Sequence, residues 1–155
     1  MTPGIKLAER EKVAHTVHEY VHDNTAESFG LEAAEKLQVE EQRVFKTLVV
    51  CLDNQQLVVS VLPVSSKLSL KKVAKAFGVK KAVMAEPSAV ERSTGYVLGG
   101  VSPLGQKKQL KSLIDISAQH FDSIFVSAGK RGLEIELAPD DLLRLIKGRY
   151  LDLIL

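Results

Sequence analysis

The sequence predicts an α+β fold with a mixed, barrel-like sheet flanked by short helices. Stretches with the pattern of β-strands recur along the chain with short helical patterns between them, without the regular strand–helix–strand alternation of a doubly wound fold. A length of 155 residues allows one domain with a sizeable core. Hydrophobic residues make up 45% of the chain and charged residues 26%, which is typical of a globular protein. We therefore expect a single domain over residues 1–155.

The N-terminal part of the chain carries helix, strand and helix signals in that order. Thr2 is a capping residue followed by Pro3 at the first helical position, which predicts a helix to about residue 10. An alternating pattern predicts a strand over residues 13–21. Ser28 stands where it could cap a second helix that runs through residue 37.

The middle of the chain predicts a hairpin, and the C-terminal half mixes strands with short helices. Residues 43–52 and 56–62 are rich in β-branched and apolar types, with Asp53-Asn54 as the turn between them. Further strands are predicted at residues 81–85, 113–116, 123–127 and 133–137, the last two joined by a loop at 128–132. Helices that begin at serine or proline are predicted at residues 69–78, 87–92 and 139–148. Residues 151–155 are apolar enough to pack back onto the core.

The cations of the chain are grouped, although its formal net charge of +2 is too small to indicate a nucleic-acid-binding protein by itself. Three basic groups lie along the chain: six lysines within residues 67–81; Lys107, Lys108 and Lys111; and Lys130 with Arg131. Such a group is either a solvated face or a contact for a phosphate backbone. Both interpretations stay open at this point.

The single cysteine, Cys51, rules out an intrachain disulfide and favours a reducing compartment. No apolar run reaches membrane-spanning length, and the N-terminus lacks the apolar core of a signal peptide. We therefore expect a cytoplasmic protein with no membrane partner.

Residues 93–108 form a glycine-rich stretch of the kind that brings main chain, rather than side chains, against a ligand. Gly100 and Gly105 have the separation of a nucleotide-binding P-loop, but Gln106 stands at the lysine position and no serine or threonine follows it. Pro103 also removes a backbone donor that a phosphate cradle would use. The stretch is therefore not a P-loop.

No complete set of catalytic or metal-binding side chains is visible in the sequence. His15 and His18 would point to opposite faces of a strand, and no thiolate or carboxylate set completes a metal site with His22. Ser102 lies outside the Gly-x-Ser-x-Gly context of a serine hydrolase. We therefore expect neither a metal nor another cofactor.

Lys46 is a charged residue within an apolar strand pattern. By strand parity it lies on the same side as Val44, Leu48 and Val50, so one apolar face carries an ammonium group. Its side chain either reaches water at the end of the strand, or projects into a cavity where it could hold an anionic or carbonyl oxygen.

Four motifs, taken together, indicate a family. They are Lys46-Thr47, Ser93-Thr94-Gly95-Tyr96, Gly99-Gly100-Val101-Ser102-Pro103-Leu104-Gly105 and Val126-Ser127-Ala128-Gly129-Lys130-Arg131-Gly132. In this order and spacing they resemble the YbaK family, the free-standing editing domains associated with prolyl-tRNA synthetase. The similarity covers essentially the whole chain.

The resemblance implies a bacterial enzyme that works in trans with prolyl-tRNA synthetase. Such an enzyme removes cysteine from mischarged proline tRNA, with the cysteine tRNA as a further substrate. Two alternatives stay open. The same fold could edit alanine or proline esters by water attack, or the chain could be a non-enzymatic module that binds tRNA or a synthetase.

The resemblance also implies roles for residues that match the motifs. Lys46 would orient the substrate ester, with Gly99 and Gly100 presenting backbone amides. Tyr20, Phe29 and Thr47 would line the aminoacyl pocket, Ser127 would present a hydroxyl to the substrate, and Glu134 would lie at the pocket rim. The tRNA-contact candidates are Lys107, Lys108, Lys130 and Arg131. Two positions depart from the family pattern: Glu134, where aspartate is usual, and Ala128, where glycine is usual.

A cysteinyl ester carries its own nucleophile, because a thiol ionises far more readily than a hydroxyl. Its sulfur can attack its own carbonyl, expel the tRNA ribose and leave a cyclic thioester that water later opens. The protein would then supply positioning through Lys46, and the amides of Gly99 and Gly100 for the developing oxyanion. The lack of a catalytic set in the sequence is expected for this mechanism.

Overall fold

The computed structural model describes residues 1–23 and 29–155. The helices of these residues are α1 (Pro3–Arg10), α2 (Phe29–Leu37), α3 (Leu70–Ala76), α4 (Pro87–Thr94) and α5 (Pro139–Leu145), with 3-10 turns at Glu41–Arg43 and Ile116–His120. The strands are β1 (His15–Glu19), β2 (Phe45–Leu52), β3 (Leu57–Pro63), β4 (Ala82–Met84), β5 (Lys111–Asp115), β6 (Ile124–Lys130), β7 (Leu133–Leu137) and β8 (Arg149–Leu151). None of these helices is long and apolar enough to cross a bilayer.

The helix ends follow local signals in the sequence. Thr2 caps α1 by accepting a hydrogen bond from a backbone amide of the first turn at 3.3 Å, and Ser69 caps α3 in the same way at 3.2 Å. Gly95 ends α4 in the left-handed conformation, with a φ of 80°. Ser28, the predicted cap of α2, lies outside the described residues.

Two sheets build the fold. The smaller sheet is antiparallel with the strand order β1-β7-β6, and the larger has the order β4-β2-β3-β5-β8. In the larger sheet β3 pairs antiparallel with β2 and parallel with β5, so this sheet is mixed. A parallel bridge between Val44 and Phe125 joins the two sheets beside the start of β2. The predicted α+β class and mixed sheet are confirmed, and the barrel-like arrangement is open rather than closed.

The larger sheet is buried on both faces. Its inner face packs against the smaller sheet, and the residues that meet there include Val49, Val59, Val61, Val126 and Ile135. Its outer face packs against α3, through Val50, Val58, Leu113 and Val73. Each fully buried aliphatic side chain contributes about 1.5–3 kcal/mol of transfer free energy, so both layers stabilise the position of β2.

Strand β6 extends beyond its predicted end at Ser127 to Lys130, so the predicted loop over residues 128–132 is wrong for residues 128–130. A bulge between Ser127 and Lys130 allows the strand to continue past two extra residues. Gly129 adopts a φ of +115° within the bulge, and its N–H donates to Ser127 Oγ at 3.1 Å. The turn to β7 is therefore confined to Arg131 and Gly132.

Two further strands differ from the prediction. β1 is shorter than the predicted residues 13–21, because its pairing with β7 covers only His15–Glu19. β8 was not predicted as a strand, since its three residues are too few for a recognisable pattern and are ordered by parallel pairing with β5. Leu153 behind it is fully buried, as expected for an apolar C-terminal segment.

Gly105→Ala should destabilise the protein more than Gly78→Ala does. Both glycines are left-handed, with φ values of +67° and +66°, so alanine costs about 1–2 kcal/mol at either position. A Cβ at Gly105 would also lie 2.6 Å from the carbonyl of Pro3, whereas at Gly78 nothing lies within 4 Å. The clash should add about 1–3 kcal/mol, measured as the free energy of unfolding in guanidinium chloride. Equal losses in the two variants would contradict this packing.

Candidate active site

A cleft of about 410 Å³ lies where the start of β2 meets α2, the glycine-rich stretch and the smaller sheet. The residues predicted for the aminoacyl pocket that line it are Tyr20, Phe29, Lys46, Thr47, Gly99, Ser127 and Glu134. These residues come from separate elements, so the fold brings together side chains that are distant in the sequence. Gly100 is not among the lining residues.

Lys46 projects into this cleft from β2. Burial lowers the pKa of its ammonium below the ordinary value, because the charged form is partly withdrawn from water. The Nζ atom donates one hydrogen bond, 2.7 Å long, to the Ser66 carbonyl. An ammonium has three donors, so Lys46 is held in place and can still bind a substrate oxygen.

Two hydroxyl groups line the cleft beside Lys46. Thr47 Oγ1 is buried and has no hydrogen-bond partner among the described residues. A buried hydroxyl without a partner costs roughly 1–3 kcal/mol. A ligand in the cleft reaches this oxygen only after the Thr47 side chain rotates. Ser127 Oγ already accepts a hydrogen bond from the Gly129 amide, which fixes the direction of its side chain.

The glycine-rich stretch meets the cleft through a tight turn over residues 97–100. The Gly100 amide closes this turn by donating to the Val97 carbonyl at 3.0 Å. Gly99 has a φ of +92°, and a Cβ there would lie 3.1 Å from the Phe29 ring. A glycine at this position therefore allows both the turn and the contact with α2.

The two glycine amides differ in availability. The Gly99 amide has no backbone acceptor among residues 1–23 and 29–155, and Gly99 lines the cleft. The Gly100 amide is used by the turn, and a Cβ at Gly100 would lie 2.9 Å from the Cα of Lys130. Gly100 thus permits close packing against the end of β6, while Gly99 offers the free donor.

Glu134 and Tyr20 form the far wall of the cleft. Burial raises the pKa of Glu134 to about 8, so its carboxyl is largely protonated at neutral pH and can donate a hydrogen bond. Burial raises the pKa of Tyr20 to about 12, with a further contribution from the nearby Glu134. This wall is therefore uncharged at neutral pH, in contrast to Lys46.

Arg131 supports the wall of the cleft that Phe29 forms. Its guanidinium lies 3.1 Å from Oε1 of the buried Glu32 and 4.4 Å from the centre of the Phe29 ring. It also donates to the Asp23 carbonyl. The predicted tRNA contacts stay a prediction, and their settings differ: Lys107, Lys108 and Lys130 are exposed, whereas Arg131 is held by Glu32.

The histidines noted in the sequence have other partners. His15 Nδ1 lies 2.6 Å from the Val13 carbonyl, and His18 Nε2 lies 2.9 Å from Glu136. Within residues 1–23 and 29–155, no group of three or more histidine, cysteine or acidic side chains is arranged to hold a metal ion.

The sequence did not predict the apolar part of the lining, which is Gly30, Phe45, Leu48, Leu98 and Val101. Leu98 and Val101 flank the glycines of the predicted stretch. Apolar side chains at these loop positions are the sequence signal that could have placed them in the lining of the cleft. Phe45 and Leu48 looked like ordinary strand residues. Their place beside the cleft depends on the junction of the two sheets.

A model of the aminoacyl-tRNA editing domain family matches residues 23–145 of the chain. The chain belongs to this family. The predicted YbaK resemblance is thereby confirmed, and the substrate class of this editing domain is aminoacyl-tRNA.

Known relatives support the same assignment. The editing domain is 41% identical to EbsC of Enterococcus faecalis, over 98% of its own length and 92% of that protein, which is named as a candidate Cys-tRNA(Pro)/Cys-tRNA(Cys) deacylase. It is 33% identical to YwhH of Bacillus subtilis, an uncharacterized protein, over 72% of the chain and 70% of that protein. A crystal structure described as a candidate trans-editing enzyme for prolyl-tRNA synthetase matches with a TM-score of 0.84 over 100% of this chain and 99% of the other, at 21% identity. That last likeness shows the fold.

Glu134→Gln should reduce the pH dependence of stability. The folded carboxyl keeps its proton to about pH 8, whereas the unfolded one loses it near its ordinary pKa of about 4.3. The folded state binds more protons between these values, so the free energy of unfolding falls as the pH rises, by at most about 1.4 kcal/mol per pH unit. Denaturant unfolding at a series of pH values should therefore show a smaller loss in Glu134→Gln than in the wild type.

The control is Glu91→Gln, which changes an exposed glutamate of α4 and should keep the wild-type pH dependence. Identical pH dependence in the wild type and Glu134→Gln would show that folding does not raise the pKa of the Glu134 carboxyl.

Proposed function

We propose that this editing domain, as one domain in the cytoplasm, deacylates mischarged Cys-tRNA(Pro) in trans to prolyl-tRNA synthetase, with Cys-tRNA(Cys) as a second substrate. The observation that carries the proposal is the character of the cleft lining. Lys46 and Gly99 offer hydrogen-bond donors, but no histidine among the described residues bonds Ser127 to activate it as a nucleophile. The names of EbsC and of the structural relative point to the same substrates.

The substrate thiol supplies the missing nucleophile. Its ordinary pKa is about 8.5, so a fraction is thiolate at neutral pH, and the Lys46 ammonium beside it favours that form. The sulfur attacks the carbonyl carbon of its own ester and forms a C–S bond. The bond from that carbon to the ribose oxygen then breaks, the ribose oxygen takes up the proton lost by the thiol, and water later opens the cyclic thioester to free cysteine.

The protein contributes geometry and electrostatics to this reaction. Lys46 is half-buried and held by the Ser66 carbonyl, so it can orient the ester without reorganising. The free Gly99 amide can donate to the oxyanion that forms as sulfur attacks. The Thr47 hydroxyl is buried, and a rotation of its side chain brings it to the ester or the ribose.

Lys46→Ala should lower kcat/KM for Cys-tRNA(Pro) deacylation by about 100-fold or more, because a preorganised donor at the reacting ester is lost. The variant should stay folded, since removing a partly desolvated ammonium leaves no buried charge behind. Release of labelled cysteine and a thermal melt measure the two properties. Lys6→Ala, an exposed lysine on α1, is the matched control and should keep full activity. Full activity in Lys46→Ala would refute the assigned role.

Cysteinyl esters should be cleaved much faster than alanyl or seryl esters of the same tRNA. Alanine has no side-chain nucleophile, and a serine hydroxyl ionises far less readily than a thiol. Deacylation rates for the three esters, measured with and without prolyl-tRNA synthetase, provide the comparison. Equally rapid loss of alanine would indicate water attack instead, and no deacylation of any ester would favour a binding module.

A further inference from the structure

The lysines and carboxylates of the editing domain are segregated. Between Asp53 and Glu86 the chain carries six lysines and no carboxylate. Residues 27–41, which include α2, carry five glutamates and one lysine. Glu32 is buried and paired with Arg131, so the exposed carboxylates of the described residues around α2 are Glu35, Glu40 and Glu41. The net charge of +2 therefore combines a basic side around α3 with an acidic side around α2.

The strand register places the basic side on the same face of the larger sheet as Lys46. Lys46 stands opposite Leu62 of β3, and Val58 of β3 stands opposite Lys111 of β5. Residues an even number apart on a strand share a face, and directly opposite residues do too, so Lys46 and Lys111 lie on one face. α3 covers part of this face, because Val73 packs against Val58.

A groove of about 480 Å³ lies at the far end of this face, between the end of α3 and the starts of β5 and β8. Lys111, Lys147 and Arg149 line it and are exposed, and no carboxylate of the described residues is part of its lining. Arg149 donates to the Ala76 carbonyl at 3.1 Å, which holds its guanidinium at the wall of the groove. None of the three cations forms an ion pair within residues 1–23 and 29–155. The groove thus presents uncompensated positive charge.

The distance from Lys46 to the groove suits the end of a tRNA. Four residues along β3 and two steps between strands separate Lys46 from Lys111, which is about 16 Å. At about 3.4 Å per stacked nucleotide, this equals roughly five nucleotides. A tRNA carries its amino acid on a single-stranded CCA end. Val58, Ser60 and Leu62 between these two lysines are fully buried, so the tRNA passes over the exposed surface of α3, which carries Lys71 and Lys75, and five nucleotides is a lower limit for this path. An ester held at Lys46 therefore places the acceptor stem, which follows the single-stranded end, at the groove.

We propose that this basic groove binds the sugar–phosphate backbone of the tRNA acceptor stem, an inference that rests on the proposed function. The acidic side around α2 repels the same backbone, so the two sides together set the direction in which the tRNA leaves the cleft. Phosphate contacts position a nucleic acid without reading its sequence. The groove would hold any tRNA alike and leave selection to the aminoacyl group in the cleft.

Two substrates of different length test the groove. Cysteinylated full-length proline tRNA reaches it, and a cysteinylated CCA trinucleotide does not. Lys75→Glu/Lys111→Glu, which includes an exposed lysine of the last turn of α3, should lower kcat/KM for the full-length tRNA about tenfold or more, mainly through KM. The trinucleotide should be cleaved as by the wild type. The salt dependence of kcat/KM should become shallower, by about one unit of log–log slope for each phosphate that the variant no longer neutralises.

The control variant, Lys6→Glu/Lys12→Glu, makes the same change in net charge at exposed lysines of α1 and of the residues just after it, neither of which lines the groove or lies near α2 in the sequence. It should lose much less activity on full-length tRNA. Equal losses in the two double variants would show that only the net charge matters, and the proposed binding at the groove would then be wrong. Unchanged kinetics in the groove variant would also contradict it. If the groove variant melts early, Lys75→Gln/Lys111→Gln serves in its place.

If the proposed function itself is wrong, the result differs, because the wild type then cleaves neither cysteinyl substrate. Binding of uncharged tRNA, followed by fluorescence anisotropy, still tests the groove in that event. Weaker binding by the groove variant than by the control variant is expected, and equal binding would overturn the proposal.

Discussion

The rest of the structure depends on β2, because this strand belongs to the larger sheet and also meets the smaller one. β2 pairs with β3 on one edge and β4 on the other, and Val44 just before it bridges Phe125. Neighbouring residues of a strand point to opposite faces, yet Lys46 and Thr47 both line the cleft, since the cleft surrounds the end of β2 at this junction. A register slip of one residue would move the ammonium to the other face, so long-range pairing sets the chemistry of the site.

The glycine-rich stretch lines the cleft and also packs closely against other parts of the chain. The Tyr96 hydroxyl donates to the Leu104 carbonyl at 2.6 Å, and the Tyr96 ring lies where Gly129 would carry a side chain. Gly100 allows the same stretch to lie against the end of β6. Tyr96 and Gly100 therefore fix the two ends of the short turn that carries the free Gly99 amide, while Val97 and Leu98 within the turn are exposed. Fixed ends of this kind favour a preorganised donor.

Features set by neighbouring residues were predictable from the sequence, and features set by distant contacts were not. The caps at Thr2 and Ser69 and the glycine at the end of α4 act within a few residues, so these helix boundaries were close to correct. The bulge after Ser127 and the parallel pairing of β3 with β5 have no local pattern. The family resemblance named seven of the twelve residues that line the cleft. It could not reveal that the Gly100 amide is used within its own turn, because that depends on the backbone path.

The ion pair between Arg131 and Glu32 has a consequence for how surface cations are tested. The Glu32 side chain is only 3% exposed, and losing the partner of a buried charge costs about 3–5 kcal/mol. An alanine scan of basic residues would therefore identify Arg131 as essential even if the residue never met a phosphate, because the Phe29 wall would loosen. Turnover alone would misassign it. A scan that measures the melting temperature of each variant separates residues that hold the enzyme together from those that hold the tRNA.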